Sequence, residues 1–195
     1  MNYLAHLYLS GDDEDLMIGN FMADDVKGSK FNDYPERIKD GILLHRFIDD
    51  FTDHHPICSE TKVLLRPRYH KLSPILSDLI YDHFLALNWQ NYHPKPLREY
   101  VNGIYETLER RWDDLTPRMQ HMLPFMIKYD WLYNYQFKEG MERVLLGMSK
   151  RVRSGGVLKH GWEDIELYNA QFADQFFRFF AELIDAVKDY SQGDT

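Results

Sequence analysis

A histidine and three aspartates fall among apolar residues in Gly41-Ile42-Leu43-Leu44-His45-Arg46-Phe47-Ile48-Asp49-Asp50-Phe51-Thr52-Asp53. Read as a helix turning ~100° per residue, this stretch gathers Leu44, Phe47, Ile48 and Phe51 into one apolar stripe. His45 and Asp49 lie together along its border, with Asp53 further round. An imidazole and a carboxylate one turn apart, beside a core-facing stripe, can share a metal ion. The aspartates also crowd the C-terminal end of a helix that Pro56 should stop, where the macrodipole disfavours anions by ~0.3–1 kcal/mol each. A bound cation is one way to offset that.

Compatible groups stand elsewhere. In Gly19-Asn20-Phe21-Met22-Ala23-Asp24, a helical wheel sets Asp24 beside Met17 and Phe21, aimed at the core with Asn20 near it. A buried carboxylate needs a partner, either a metal or an arginine such as Arg46. Asp82-His83 belongs to a helix whose apolar face is Leu76, Leu79, Ile80 and Leu87; His83 lies within that face and Asp82 flanks it. His6 follows Asn2 by one turn. Together Asp24, His45, Asp49, Asp82, His83 and His6 make a nitrogen and oxygen ligand set drawn from four helices, suited to manganese, iron, zinc or magnesium. Such a site lowers the pKa of a bound water toward neutrality and polarises a phosphoryl oxygen, which points to phosphate-ester hydrolysis. No Gly-x-Ser-x-Gly elbow or Gly-x-x-x-x-Gly-Lys loop occurs, and Cys58, the one cysteine, sits in no motif. His54 and His55 read as helix-terminal residues, and Tyr129 to Tyr135 as lining for a core or groove.

The elements that must position these groups are helical, since no run alternates with period two. The expectation is a single all-α domain over residues 1–195 with about eight to ten helices. A short helix covers 2–9, and a second runs from the acids at Asp12 to Asp15 to about Val26, closed by Lys27-Gly28. A third begins near Pro35, and a short one from Pro56 ends where Pro67 breaks it. Ser73-Pro74 and Thr116-Pro117 cap two more. Pro94 and Pro96 precede a long helix, another spans about Phe137 to Arg151 up to Ser154-Gly155-Gly156, and one last helix runs from Trp162 to Tyr190. That last helix buries Phe172, Phe176, Phe177, Phe179, Phe180 and Leu183. Only the tail from Ser191 to Thr195 is set apart from the compact body.

A hydrophobic share of 44% over 195 residues can build a substantial core. The net charge of -8 argues against nucleic acid and anionic membranes as partners. Acids concentrate in residues 1–60, whereas Lys138, Arg143, Lys150, Arg151, Arg153 and Lys159 make the 138–160 segment basic. One cysteine, no convincing signal peptide and no run of ~20 apolar residues lead to the expectation of a cytoplasmic protein.

Four blocks, in order and at their spacing, carry a resemblance: Met1-Asn2-Tyr3-Leu4-Ala5-His6-Leu7, Gly19 to Asp24, Gly41 to Asp53, and Asp82-His83-Phe84-Leu85. They resemble bacterial acyl carrier protein phosphodiesterases. The resemblance implies an all-helical, HD-domain-like phosphohydrolase that uses a divalent metal, typically manganese. It would hydrolyse the phosphodiester between 4'-phosphopantetheine and a serine of its protein substrate, holo acyl carrier protein. Carried onto this chain, it implies His6, Asp24, His45, Asp49, Asp82 and His83 as metal ligands. Asp24, Arg46 and Asp49 would be catalytic, with Asn2, Asn20 and Asp53 as supports. The His-Asp dipeptide of the usual HD pattern is absent, and Asp82-His83 runs in the opposite order. Two other readings use the same residues: an HD-like phosphohydrolase of nucleotides or small phosphate esters, and a non-enzymatic helical binding module with salt-bridged acids.

Overall fold

The short helix α1, Tyr3–Leu9, is the element on which the other site-bearing helices converge. Asn2 caps it by accepting from the Tyr3 N–H at 2.9 Å. The computed structural model describes residues 1–193, so only the end of the Ser191 to Thr195 tail lies outside the described residues; Ser191 to Gly193 continue the last helix. After α1 come α2, Glu14–Met22; α3, Glu36–His54; α4, Pro56–Tyr69; and α5, Ser73–Leu87. The second half holds α6, Leu97–Arg110; α7, Pro117–Lys128; α8, Trp131–Asn134; α9, Lys138–Arg151; α10, Gly161–Leu167; and α11, Asn169–Gly193. Short 3-10 turns connect several of these, and the described residues contain no strand. The all-α expectation holds.

Local chemistry accounts for many boundaries. Asp13 Oδ1 accepts from Leu16 N at 3.0 Å to start α2, and Thr116 Oγ1 accepts from Met119 N to start α7. His55 Nδ1 accepts from Ile57 N at 3.3 Å as the cap of α4, with Pro56 in its first turn, while His54 Nδ1 donates to Asp50 O in the last turn of α3. Both histidines therefore serve helix ends, as expected.

Three helices differ from expectation: α2, which ends early at Met22, α4 and the last. Pro67 does not break α4, which continues to Tyr69 and closes where His70 adopts a φ of 47°. The span from Trp162 to Tyr190 is divided at Tyr168, because its two parts are fastened in different directions. Asp164 holds α10 to α4 through Arg68 Nη1 at 2.7 Å and through the Tyr69 hydroxyl. The stripe of Phe172, Phe176, Phe179, Phe180 and Leu183 buries α11 completely along its inner face, whereas Phe177 lies outside that stripe and is 41% exposed.

A very tight contact joins α2 to α3. A Cβ on Gly19 would lie 2.0 Å from Ile38 O, and one on Gly41 would lie 2.2 Å from Leu16 O; the two glycine Cα atoms face each other. Only the missing side chains let the two backbones approach this closely. The approach sets Asn20 of α2 beside His45 of α3.

Candidate metal centre

His6 from α1 and His45 from α3 stack with ring centroids 4.0 Å apart and planes 16° from parallel. Asn20 lies behind both. Its Oδ1 accepts from His6 Nδ1 at 2.9 Å and from His45 Nδ1 at 3.1 Å, and its backbone carbonyl accepts from His45 Nδ1 at 2.9 Å. The amide orientation is itself fixed, because Asn20 Nδ2 donates to His6 O and to Ser10 Oγ, each at 2.9 Å. An oxygen can only accept from these rings, so both Nδ1 atoms carry a proton; His6 Nε2 presents a lone pair, and His45 Nε2 presents one once its own proton is displaced.

Both Nε2 atoms face carboxylate oxygens. His6 Nε2 lies 3.2 Å from Asp49 Oδ1, and His45 Nε2 lies 3.2 Å from Asp49 Oδ2 and 3.6 Å from Asp24 Oδ1. Lone pair against carboxylate is repulsive unless a proton or a cation lies between them. His6 Nε2 is buried and has no hydrogen-bond partner despite the short distance. The ligand atoms of His6, His45 and Asp49 all fall within 4.8 Å of one another. Two imidazole nitrogens plus carboxylate oxygen fit a divalent ion of the manganese, iron or zinc type, and Nδ1–H bonded to an amide oxygen is how metal-binding histidines are usually oriented.

The electrostatics agree. Burial lowers His6 to about 4, and the neighbouring His45 adds to the effect. Burial also opposes charge on His45, but its hydrogen bonds to Asp24 and Asp49 prevail and raise it to about 9. Asp49 is held far below the usual carboxylate range by the two rings, against the effect of its own burial. The cluster thus keeps one proton, on His45, in the place a cation would take.

Asp24 does not point into the core. The second helix stops at Met22 rather than near Val26, and a 3-10 turn, Ala23–Asp25, swings the Asp24 side chain outward to 60% exposure. Asp25 pins that turn by accepting from Thr116 Oγ1 at 2.6 Å and Arg118 Nη1 at 2.8 Å. Arg46 pins the following loop, donating to Val26 O at 2.8 Å and Gly28 O at 2.9 Å with its guanidinium over the Phe31 ring. Its Nη2 is used on backbone, it forms no ion pair with Asp24, and it lines neither of the cavities at the cluster.

The cluster forms one side of a cavity of about 200 Å³ that Asn2, Asp53 and Asp78 also line. Through Asn2, Tyr3 and Asp24 this cavity adjoins a groove of about 800 Å³ between α7, α8 and α9. Tyr129, Trp131 and Tyr135 line the groove, in keeping with their sequence reading, and Arg118, Arg143 and Arg151 are its cations.

The family model described as acyl carrier protein phosphodiesterase matches residues 1–183. The chain belongs to this family. Relatives bearing the family's name include a protein of Klebsiella pneumoniae, 35% identical over 185 residues that cover 94% of this chain and 96% of the relative. Another, from an Enterobacter species, is 32% identical over 189 residues, covering 96% and 98%. A third, from Photorhabdus laumondii, is 31% identical over 186 residues, covering 95% and 94%. No solved structure matches the chain. The family match takes in the whole cluster and both cavities, and no helix among the described residues is long and apolar enough to cross a membrane.

Of the ligands that the family resemblance implies, His6, His45, Asp49 and Asp24 come together, whereas Asp82 and His83 do not. Asp82 is fully buried and accepts from the N–H groups of Asn2 at 3.2 Å, Leu4 at 2.8 Å and Ala5 at 3.4 Å, holding the start of α1. His83 Nδ1 donates to Tyr135 O at 2.7 Å and its ring meets Trp162 edge-on. Both are structural because α5 turns them toward these partners. Asn20 accepts from both rings, and Asn2 caps α1 while facing both cavities. Asp53 lines the smaller cavity, but its carboxylate is held by Lys62 Nζ at 2.9 Å. Asp78, absent from the sequence candidates, also lines that cavity and accepts from the Met1 nitrogen at 3.1 Å. Its position one turn before Asp82 is the signal that could have found it.

Two substitutions check these roles. Asn20→Ala leaves two buried ring N–H groups without acceptors and frees both rings to rotate, so divalent-metal affinity should fall ~10–100-fold by isothermal titration. Asp82→Ala should instead lower stability by about 2–4 kcal/mol in urea unfolding, since three N–H groups lose their acceptor, with metal content per folded molecule unchanged. Burial pushes Asp82 up to about 7, against the three N–H bonds that favour its anion. Its contribution to stability is therefore complete below the ordinary value of 3.8 and lost as pH rises through about 7. Asp82→Asn, which does not titrate, should show a flatter stability profile across that window.

Proposed function

We propose that this chain is a metal-dependent phosphodiesterase that removes 4'-phosphopantetheine from holo acyl carrier protein, leaving apo carrier protein and free 4'-phosphopantetheine. The observation that carries the reading is the convergence of the His6 and His45 Nε2 atoms on Asp49, beside a groove that holds three arginines. The name shared by the relatives supplies the carrier protein as substrate. Histidine and aspartate donors in an all-helical chain support the HD-like kinship that the sequence resemblance implies.

His6, His45 and Asp49 would hold the ion, with Asp24 beside them. When bound, manganese, or magnesium, iron or zinc in its place, supplies a Lewis acid and a hydroxide source near neutral pH. Asn20 keeps both rings in the tautomer that leaves Nε2 free. Asp24 is ionised, its pKa lowered first by the hydrogen bond from His45, and sits at the exposed edge of the cluster. There its carboxylate accepts a hydrogen bond from the attacking water and orients that water toward phosphorus. Attack forms one phosphorus–oxygen bond and breaks the one to the carrier serine Oγ, which takes up the proton. Arg118 and Arg151, whose charges reach Tyr3 at the junction of the two cavities, offset the negative charge of the phosphoryl oxygens. The same arginines give an acidic carrier protein a positive place to dock on a chain of net charge -8.

Incubating the protein with holo acyl carrier protein and manganese, then weighing the carrier by mass spectrometry, tests this. Loss of the prosthetic arm is expected, and an unchanged mass refutes the reaction. Hydrolysis of nucleotides or small phosphate esters in its place would identify a more general phosphohydrolase. Absence of bound metal from wild type, His45→Ala and Asp49→Ala alike would leave a helical binding module.

A further inference from the structure

One face of α9 forms a wall of the 800 Å³ groove, and its residues recur at spacings of three and four: Gly140, Arg143, Val144, Gly147, Met148 and Arg151. From the first to the last, such a stripe runs roughly 16 Å at 1.5 Å per residue. The two glycines on it differ in kind. A Cβ on Gly140 would lie 2.0 Å from Asn134 O, so that glycine is required by the packing of α8 on α9. A Cβ on Gly147 would meet only Arg151 Nη2 at 3.8 Å, an ordinary contact. The fold therefore tolerates a side chain at 147, and glycine in a helix interior is unfavourable by ~0.5–1 kcal/mol relative to alanine. What glycine does there is leave the groove open.

The lining states what the open space would take. It is apolar, with Trp131, Val144 and Met148 among its walls, and carries scattered donors in Arg143 and Arg151. Asp24, at the junction with the cluster, is its one acidic lining residue. Arg143 has no carboxylate within ion-pair distance among the described residues, and Arg151 lies over the Trp131 ring. A folded helix, ~10 Å across with its side chains, does not suit a space of this size, whereas an extended chain of methylenes and methyl groups interrupted by amide carbonyls matches both surfaces.

We propose that the groove takes the pantetheine arm of the substrate, with the phosphate at the metal cluster and the amides along α9, and that Gly147 is the specificity-determining position that keeps the arm's path clear. The inference rests on the phosphodiesterase reading and names where its substrate lies. Arg143 donates to the arm's carbonyls, and the apolar wall receives its methyl and methylene groups.

The test is a size series, Gly147→Ala, Gly147→Leu and Gly147→Phe, beside Gly103→Phe on an open face of α6, where a Cβ meets nothing within 4 Å. Binding of free 4'-phosphopantetheine to the manganese-loaded proteins is read by ligand-observed NMR. The KM for holo carrier protein and the hydrolysis of bis(p-nitrophenyl) phosphate, which needs the cluster alone, are measured in parallel. Expected are near-wild-type values for Gly103→Phe and a graded loss along the Gly147 series that reaches roughly tenfold or more in binding and KM for Gly147→Phe, larger than any change in hydrolysis of the small diester. Wild-type protein that does not bind 4'-phosphopantetheine, or Gly147→Phe that binds it as wild type does, overturns the groove assignment. Binding that follows the series while the carrier's mass never changes would sink the proposed reaction and leave the groove standing. Carrier cleavage indifferent to residue 147 would do the reverse.

Discussion

Asp49→Asn should leave a folded protein that no longer binds a divalent ion tightly and has lost at least about 10²–10³-fold in kcat, the scale of removing one preorganised charged group from an active site. Asp49 is the residue that touches both rings, at 3.2 Å to each Nε2, and its anion is the charge against which His45 holds its proton. An asparagine amide can donate to one Nε2 and so satisfies a lone pair without supplying charge. The variant therefore keeps its circular dichroism spectrum while its metal content, measured by plasma mass spectrometry, falls toward zero. Stoichiometric metal in folded Asp49→Asn would exclude the cluster as the binding site. The wild-type protein carries a companion signature. With His45 raised to about 9, an entering cation must displace its proton, so apparent affinity should rise about tenfold per pH unit below that value and calorimetry should show one proton released per ion.

Gly41→Ala should be a damaging single methyl. The added Cβ would stand 2.2 Å from Leu16 O and 2.9 Å from Asn20 N, both backbone atoms that cannot rotate away. Helix α2 must then move off α3, at a cost of about 2–4 kcal/mol in urea unfolding. Asn20 moves with it, so metal affinity should drop ~10–100-fold even in the fraction that stays folded. Gly19→Ala approaches the same contact from the other side, 2.0 Å from Ile38 O, and should match it. Gly103→Ala provides the contrast, since its Cβ meets nothing and a helical glycine is replaced; it should be neutral or stabilising by up to ~1 kcal/mol. Equal effects at 41 and 103 would mean that the α2–α3 contact does not position the site.

The candidate metal centre joins a pairing visible along one helix to partners that are not. His45 and Asp49 share a face of α3 because they are one turn apart, and that much is set by helical geometry. His6 meets them because the start of α1 is tied down by Asp82, seen in sequence as a ligand candidate and in the structure as the acceptor for three N–H groups. Asp24 joins the cluster through the early end of α2, which turns it from the core to the cavity edge. Arg46 is the reverse case: its sequence position beside His45 suits phosphate binding, yet its donors close the loop at Val26 and Gly28.

By itself the sequence determined the all-helical class, most helix starts and the His45–Asp49 pair, because periodicity, capping and one-turn spacing are properties of neighbours in the chain. Only the tertiary structure decided that Asn20 orients both rings, that Asp82 and His83 are structural, that Pro67 is carried through α4, and that Gly147 leaves a groove open. A helical wheel gives a side chain's direction about its own axis and says nothing of which backbone carbonyl, ring or void stands at the other end. In this protein that is settled by where helices meet, above all at Gly19 and Gly41, where two missing side chains let α2 and α3 close on each other.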